Sequence, residues 1–274
     1  PYGQWTDLSG HPTQDSTADG QIRLQPAGHI LGSAYVECQA EDQRVVLSGD
    51  LGAPNTPLLP APKSPELFRA FGRCVGSLGG RYITAEDVGC SVDDMRYVRE
   101  ETEFVSGLPQ SGKDAGGDPS PWTALGCFQG IEAAVQVRLG ADSVKGLRVA
   151  VQGAGGHVGV YLCRLLHEAG AELFVSDVNG ESLKRLSEEL PVTVVPPTDL
   201  LFADVDILAP CALGNILTST TIPKIRAKVI AGGANNQLST PEDGTRLAEH
   251  DILYAPDYVI NAGGIISVEA EYFG

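Results

Sequence analysis

Positive charge is what this sequence has least of. Lys and Arg number 19 against 35 Asp and Glu, a formal net charge of −16 over 274 residues. That deficit excludes sequence-independent nucleic-acid binding, which relies on basic surface to neutralise phosphates. It equally disfavours an anionic membrane surface. No apolar run approaches the roughly 20 residues that cross a bilayer as a helix, and no secretory leader pattern is legible after Pro1. The six cysteines, Cys38, Cys74, Cys90, Cys127, Cys163 and Cys211, never form C-x-x-C, so neither a zinc knuckle nor a redox pair is expected. Reduced thiols and a cytoplasmic location follow as the expectation. What remains is ordinary for a globular protein: 42% hydrophobic residues, enough for one large or two average domains.

Texture divides the chain. Residues 1–62 read as strand and loop, with short strands at Ile22–Leu24, Ala34–Cys38 and Arg44–Leu47. Pro54, Pro57, Pro60 and Pro62 then form a stiff connector. At Ser64-Pro65-Glu66 a helix begins, serine as cap and proline in its first turn. Its apolar stripe runs Leu67, Phe71, Cys74, Leu78, and Gly79-Gly80 ends it. A short strand is expected at Arg81–Thr84, a helix at Asp93–Glu101, a loop at Gln110–Pro121 and a long helix at Thr123–Leu139. Strands and helices alternate thereafter: strand 147–152, helix 160–169, strand 173–177, helix 180–190, then strands at 192–195, 205–209, 228–231 and 252–255. Short apolar strands separated by helices imply a parallel sheet covered on both faces.

The densest signal lies where the first of those strands ends. Leu147-Arg148-Val149-Ala150-Val151-Gln152 runs into Gly153-Ala154-Gly155-Gly156-His157-Val158-Gly159, and Asp177 closes the next strand. Glycines permit a tight turn and let backbone approach a pyrophosphate, while the N–H groups of the following helix start attract its charge. A carboxylate at Asp177 accepts bonds from a ribose 2′-hydroxyl and repels a 2′-phosphate, which favours NAD over NADP. The expected fold class is α/β, a Rossmann-type doubly wound parallel sheet. The spacing G-x-G-x-x-G is not met, however. Counted from Gly153, the third glycine falls on Val158 and Gly159 comes one place late. Counted from Ala154, Gly156 and Gly159 fit but the first glycine is lost. His157 within this turn reads as solvent-facing.

Five further stretches carry a resemblance. They are Gly79-Gly80-Arg81-Tyr82-Ile83-Thr84-Ala85-Glu86-Asp87-Val88-Gly89, Asp118-Pro119-Ser120-Pro121-Trp122-Thr123-Ala124, Ala209-Pro210-Cys211-Ala212-Leu213-Gly214, Ala231-Gly232-Gly233-Ala234-Asn235-Asn236-Gln237-Leu238, and Tyr254 through Gly264. In this order they resemble the glutamate, leucine, phenylalanine and valine dehydrogenase family, nearest in pattern to its leucine dehydrogenases. The resemblance implies NAD-dependent oxidative deamination of an apolar L-amino acid to its 2-oxo acid and ammonia. It places a catalytic aspartate at Asp87, where a carboxylate takes and returns protons, although an aspartate there would also cap the helix that follows. It puts Thr123 and Asn261 along the substrate and nicotinamide cleft, and Asn236 against the cofactor, positions that turn chemistry alone would also fill. It leaves room for a homo-oligomer.

Two departures stand beside it. The family's G-G-G-K motif with its catalytic lysine is not found upstream of Ser64, and the family's C-terminal helices do not follow Gly274. Little turnover is therefore expected of these residues alone. Instead, Pro26-Ala27-Gly28-His29-Ile30-Leu31-Gly32-Ser33-Ala34 and Val46-Leu47-Ser48-Gly49-Asp50-Leu51-Gly52 resemble metallo-β-lactamase-fold nucleases of the β-CASP kind, in which the matching His29 and Asp50 would bind zinc. The H-x-H-x-D-H cluster that supplies most ligands of such sites is missing, so no working metal centre is expected. The organisation this suggests is a nuclease-like, β-rich fragment at 1–62, a truncated substrate-domain remnant at 63–117 and a cofactor domain at 118–274, with a join near Pro62–Glu66.

Overall fold

The computed structural model describes the backbone of residues 6–7, 21–26, 34–40 and 43–47, and residues 64–86, 90–108 and 118–267 in full. Asp87, His29 and Asp50 lie outside the described residues, as does most of the expected loop before Asp118. The chain divides into two compact units, one of Pro1–Asp118 with Ser267–Gly274 and one of Pro119–Ile266.

In the first unit, β1 (Thr6–Asp7), β2 (Gln21–Pro26), β3 (Ala34–Ala40) and β4 (Gln43–Leu47) form an antiparallel sheet in sequence order. Helix α1 (Pro65–Ser77) starts as its sequence dictates. The Ser64 side chain accepts from Leu67 N–H, and Gly79 and Gly80 follow with φ of 57° and 79°. It packs on α2 (Val92–Arg99) around Phe68, Phe71, Val75, Met95 and Val98. Gly72 permits that contact, since a Cβ there would lie 2.8 Å from the Val98 carbonyl. The strand expected at Arg81–Thr84 reduces to one bridge, Thr84 with Val105. Glycines with left-handed backbone immediately before it leave too few extended residues for a ladder.

The second unit contains the parallel sheet. Helix α3 (Ser120–Leu139) buries Ala124, Cys127, Ile131 and Val135 at three- and four-residue spacing and stops at Gly140, φ 65°. Then come β5 (Arg148–Gln152), α4 (His157–Glu168), β6 (Glu172–Ser176), α5 (Gly180–Glu189), β7 (Val192–Val194), α6 (Pro197–Leu200), β8 (Ile207–Pro210), β9 (Val229–Ile230), α7 (Pro241–Glu249), β10 (Leu253–Tyr254) and α8 (Asp257–Ile260). All five strand pairings are parallel, and the spatial order is β10-β9-β8-β5-β6-β7. Alternate residues feed two apolar layers. Val149, Val151, Ile207 and Val229 point into the layer with Ile131, Leu162 and Leu166. Ala150, Leu208 and Ile230 point into the one with Leu200, Leu217, Ile222 and Leu247. This is why the strands read as continuous apolar runs. The expected α/β, doubly wound, Rossmann-type architecture is what the unit shows.

The order of strands positions the site. From β5 the chain moves outward through β6 and β7, then returns to the other side of β5 as β8. Loops leaving β5 and β8 at their carboxyl ends therefore diverge, and that crevice is where open α/β sheets take ligands.

Candidate dinucleotide site

The glycine turn leaves β5 at this crevice. Gly153 has φ 74°, and a Cβ there would lie 2.8 Å from the Cys211 carbonyl oxygen and 2.9 Å from Ala212 N. Only glycine fits, both sterically and by backbone region. Gly159, inside α4, packs on the strand end: its Cβ would fall 2.1 Å from the Gly153 carbonyl oxygen. These are the first and third glycine roles of a dinucleotide turn, tight turn and helix-to-strand contact. Seven residues here span what six usually do. Geometry thus resolves the register that spacing left open: Gly153 and Gly159 are the pair that the packing of the turn requires to be glycine, and the extra residue is taken up between them.

Helix α4 begins at His157, not at Val160 as the sequence reading had it, with extended Gly156 as its cap. By its sequence Gly159 belongs to the turn, yet its lack of a side chain is what lets the helix start early against β5. His157 is exposed. Among the described residues no side chain caps this helix. The amides of His157, Val158 and Gly159 have no backbone acceptor among the described residues. They are three donors at the positive end of a helix dipole.

Beside them stands Asp177, immediately after β6. Its Oδ2 accepts from Gly155 N–H at 2.9 Å and its Oδ1 from Asn179 N–H at 2.8 Å. Val178 is 95% exposed next to it. Two buried acceptors at the ends of the flanking strands, Gln152 Oε1 and Ser176 Oγ, have no partner among the described residues.

The opposite wall is built from the loops after β8 and β9. Gly214 and Gly232 let them interlock, because a Cβ on Gly214 would lie 2.1 Å from Asn235 O and one on Gly232 would lie 2.3 Å from Pro210 O. Asn215 and Asn236, both left-handed with φ of 62° and 53°, join through Asn215 N–H to Asn236 O at 2.7 Å. The Asn236 side-chain Nδ2 is buried without a partner among the described residues. Asn261 Nδ2 donates to Gly233 O at 3.4 Å and to Asn235 Oδ1. Thr123 Oγ1 donates to Pro119 O at 3.3 Å. It sits against Gly264, where a Cβ would be 2.3 Å away. Gly233 in turn faces Val158 at the start of α4, 2.9 Å from its would-be Cβ. The start of α4, Gly233 and Asn261 are thus linked through close contacts, while Thr123 packs on Gly264 three residues beyond Asn261.

Two residues the sequence reading missed hold that wall. Gln237 is fully buried, and its Nε2 donates to Gly232 O at 2.8 Å and Ala234 O at 2.9 Å. Asp257 is 6% exposed and accepts from Gln237 N–H at 2.9 Å and Tyr258 N–H at 2.7 Å. The signal available was a glutamine in a run of glycine and small residues, which no spacing rule singles out. Burial, with Asp257 nearby, pushes the Tyr254 hydroxyl above its ordinary range. Asp257→Ala is expected to leave two amides without acceptors and cost about 1–3 kcal/mol; Asp257→Asn keeps one acceptor and should cost less. Urea denaturation of the three proteins checks the order, and equal stability of all three would refute this role. Among the described residues no group of His, Cys, Asp or Glu could hold a metal, and no helix is long and apolar enough to cross a membrane.

A parallel sheet with a strand-order switch, a glycine turn, uncapped helix amides and a following carboxylate define a dinucleotide-binding domain. Residues 118–273 match the Glutamate/Leucine/Phenylalanine/Valine dehydrogenase family, and the chain belongs to that family of NAD(P)-dependent amino-acid dehydrogenases. It is 49% identical to leucine dehydrogenase of Geobacillus stearothermophilus over 229 residues, which is 82% of this chain and 62% of that protein. A crystal structure of L-tryptophan dehydrogenase from Nostoc punctiforme superposes with TM-score 0.62 at 48% identity, covering 78% of this chain and 60% of that one. Phenylalanine dehydrogenase of Bacillus thermotolerans is 40% identical over 285 residues, 96% of this chain and 72% of that protein. That last alignment takes in most of residues 1–62, and the nuclease-like resemblance of that stretch finds no support.

Proposed function

We propose that this chain carries the NAD-binding half of an enzyme that oxidatively deaminates a branched-chain or other apolar L-amino acid to its 2-oxo acid and ammonia. The observation that carries this is the juxtaposition of three uncapped α4 amides with the Asp177 carboxylate, a phosphate site beside a ribose site. The relatives' names supply the substrate class. NAD rather than NADP is the cofactor because Asp177 would meet a 2′-phosphate with like charge. Asn236, whose buried Nδ2 has no partner among the described residues, would donate to the cofactor. Thr123 and Asn261 would line the cleft for substrate and nicotinamide, and the nicotinamide, when bound, would supply the acceptor for the hydride that leaves the substrate's Cα. Asp87 is the group that takes and returns protons.

On this reading residues 63–117 belong to the substrate-binding part and 118–274 to the cofactor domain. Cys127, Cys163 and Cys211 are free thiols, which suits a cytoplasmic enzyme, and assembly as a homo-oligomer fits the reading. Turnover by these 274 residues is expected to be weak, because the lysine-bearing glycine motif is not among them. Losing one proton-transfer group typically costs about 10²–10⁴-fold. Calorimetric titration with NAD and NADP, followed by NADH absorbance in the presence of L-leucine, separates the possibilities. NAD binding with weak turnover is the expected result. Binding with no turnover at all favours a non-catalytic dinucleotide module, and no binding of either nucleotide overturns the proposal.

A further inference from the structure

Four successive amides of the glycine turn already have acceptors inside the protein. Gly153 and Ala154 N–H both donate to Ser176 O, at 2.8 and 3.1 Å, and Gly156 N–H donates back to Gly153 O at 3.1 Å. Gly155 N–H differs, because its acceptor is a side chain from the next strand, Asp177 Oδ2. The contact is tight all round: a Cβ on Gly155 would lie 2.8 Å from Ser182 Cβ and 3.1 Å from Asp177 Oδ2. Asp177 is itself anchored. Its other oxygen accepts from Asn179 N–H, and Asn179 Oδ1 caps α5 by accepting from Glu181 and Ser182 N–H, both at 3.2 Å.

The turn that Asp177 grips is the enlarged one. With seven residues between and including Gly153 and Gly159, the loop has one peptide more than the helix-to-strand contact needs, and its crest has an N–H that no backbone carbonyl reaches among the described residues. A longer loop has more conformations to lose when it orders. A charge-assisted bond from a carboxylate already fixed by α5 is a strong way to remove them.

Resting on the proposed cofactor reading, we infer that Asp177 is a positioning residue for the phosphate-binding turn, in addition to any ribose contact. It holds the crest at Gly155 so that the α4 amides of His157, Val158 and Gly159 stay presented to a pyrophosphate. A carboxylate has about four lone-pair sites. The two amide bonds therefore leave it able to accept ribose hydroxyls, and both roles operate together.

The two roles separate with a nucleotide that has no hydroxyls for Asp177 to read. In the ligand-free chain, amide hydrogen exchange by NMR should be about tenfold or more faster at Gly155 in Asp177→Ala than in the unaltered protein. Asp177→Asn, which keeps one acceptor oxygen, should restore part of the protection. Gly153 and Ala154, bonded to Ser176 O, should keep theirs and so report that the turn is still folded. Calorimetry then compares NAD with 2′,3′-dideoxy-ADP. Asp177→Ala should weaken 2′,3′-dideoxy-ADP by about tenfold although that ligand lacks both ribose hydroxyls. If only NAD weakens and 2′,3′-dideoxy-ADP binds as before, Asp177 acts through the ribose alone and the inference is overturned. Unchanged exchange at Gly155 overturns it as well. Should the unaltered chain bind neither nucleotide, the cofactor reading and the phosphate-presenting role fall together, while the exchange data still decide whether Asp177 orders the turn.

Discussion

Alanine in place of Gly159 is expected to destabilise the Pro119–Ile266 unit by about 3 kcal/mol and to abolish measurable nucleotide binding. The added methyl would sit 2.1 Å from the Gly153 carbonyl oxygen and 2.9 Å from Ala154 Cα. Both atoms are backbone, and both are pinned by the bonds of Gly153 and Ala154 to Ser176 O. Neither a rotamer change nor a flexible side chain can relieve the clash, so α4 must move off β5. That displacement separates the α4 amides from the Asp177 carboxylate, which is why binding fails along with stability. For a unit of this size the loss corresponds to a fall in melting temperature of about 6–12 °C. Gly180→Ala is the control. At the first position of α5 a Cβ meets nothing within 4 Å, and replacing glycine in a helix by alanine is neutral or stabilising by up to about 1 kcal/mol. Thermal melts and NAD calorimetry on the two variants test the argument. Equal melting temperatures would show that the turn has slack at Gly159.

Most of this architecture was legible in the sequence because its main determinant is periodic. Strands such as Val149–Val151 are apolar at every position, a pattern that only a sheet covered on both sides explains, and helices such as α1 and α5 carry clear stripes and caps. Ser64 and Gly79-Gly80 marked the two ends of α1 correctly. Failures came where a residue serves two purposes. Gly159 looks like turn and is helix, so α4 was begun three residues late. The spacing of Gly153 to Gly159 admitted two registers, because sequence records which residues lack a Cβ but not which of them has another atom in its place. Helix α7 was missed although Thr240 and Asp243 form a reciprocal cap at its start, for its nine residues contain few apolar ones. Asp177 was identified as a ribose acceptor, but its bond to Gly155 depends on how β6 and the turn meet in space. Gln237 and Asp257 were invisible for a related reason: Asp257 accepts from the Gln237 N–H twenty residues away, and Gln237 donates to Gly232 and Ala234 carbonyls that only the folded loop after β9 turns toward it.

Alkaline pH should unfold the same unit well before its arginine pairs lose charge. Cys127 and Cys163 are fully buried, and Cys211, though partly exposed as a residue, has its thiol enclosed against Gly233. Burial pushes all three thiols up; for Cys127 and Cys163 the nearby Cys211 adds to it. Cys211 rises to about 11, its burial partly offset by the Gly233 N–H that donates to Sγ. In the unfolded chain such thiols titrate near 8.5. The native state therefore binds more protons than the unfolded state above that pH, and stability must fall as pH rises. The contribution of the three thiols is complete below about pH 8.5 and is lost progressively toward the native values, through about 11 for Cys211. Each thiol gives a slope of roughly 1.4 kcal/mol per pH unit, so three together give roughly 4. Set against a typical total of about 5–15 kcal/mol, about one to four pH units suffice. A cooperative transition is expected between about pH 9.5 and 12.5. Urea midpoints measured at pH 7.5, 9, 10 and 11 would trace the slope. Cys163→Ala removes one ionisable group and should flatten it by roughly a third, whatever the cavity costs at neutral pH. A stability curve that stays level to pH 11 would mean that these thiols are not enclosed by the packing of α3, α4 and the loop after β8, and the layer that supports the glycine turn would have to be redrawn.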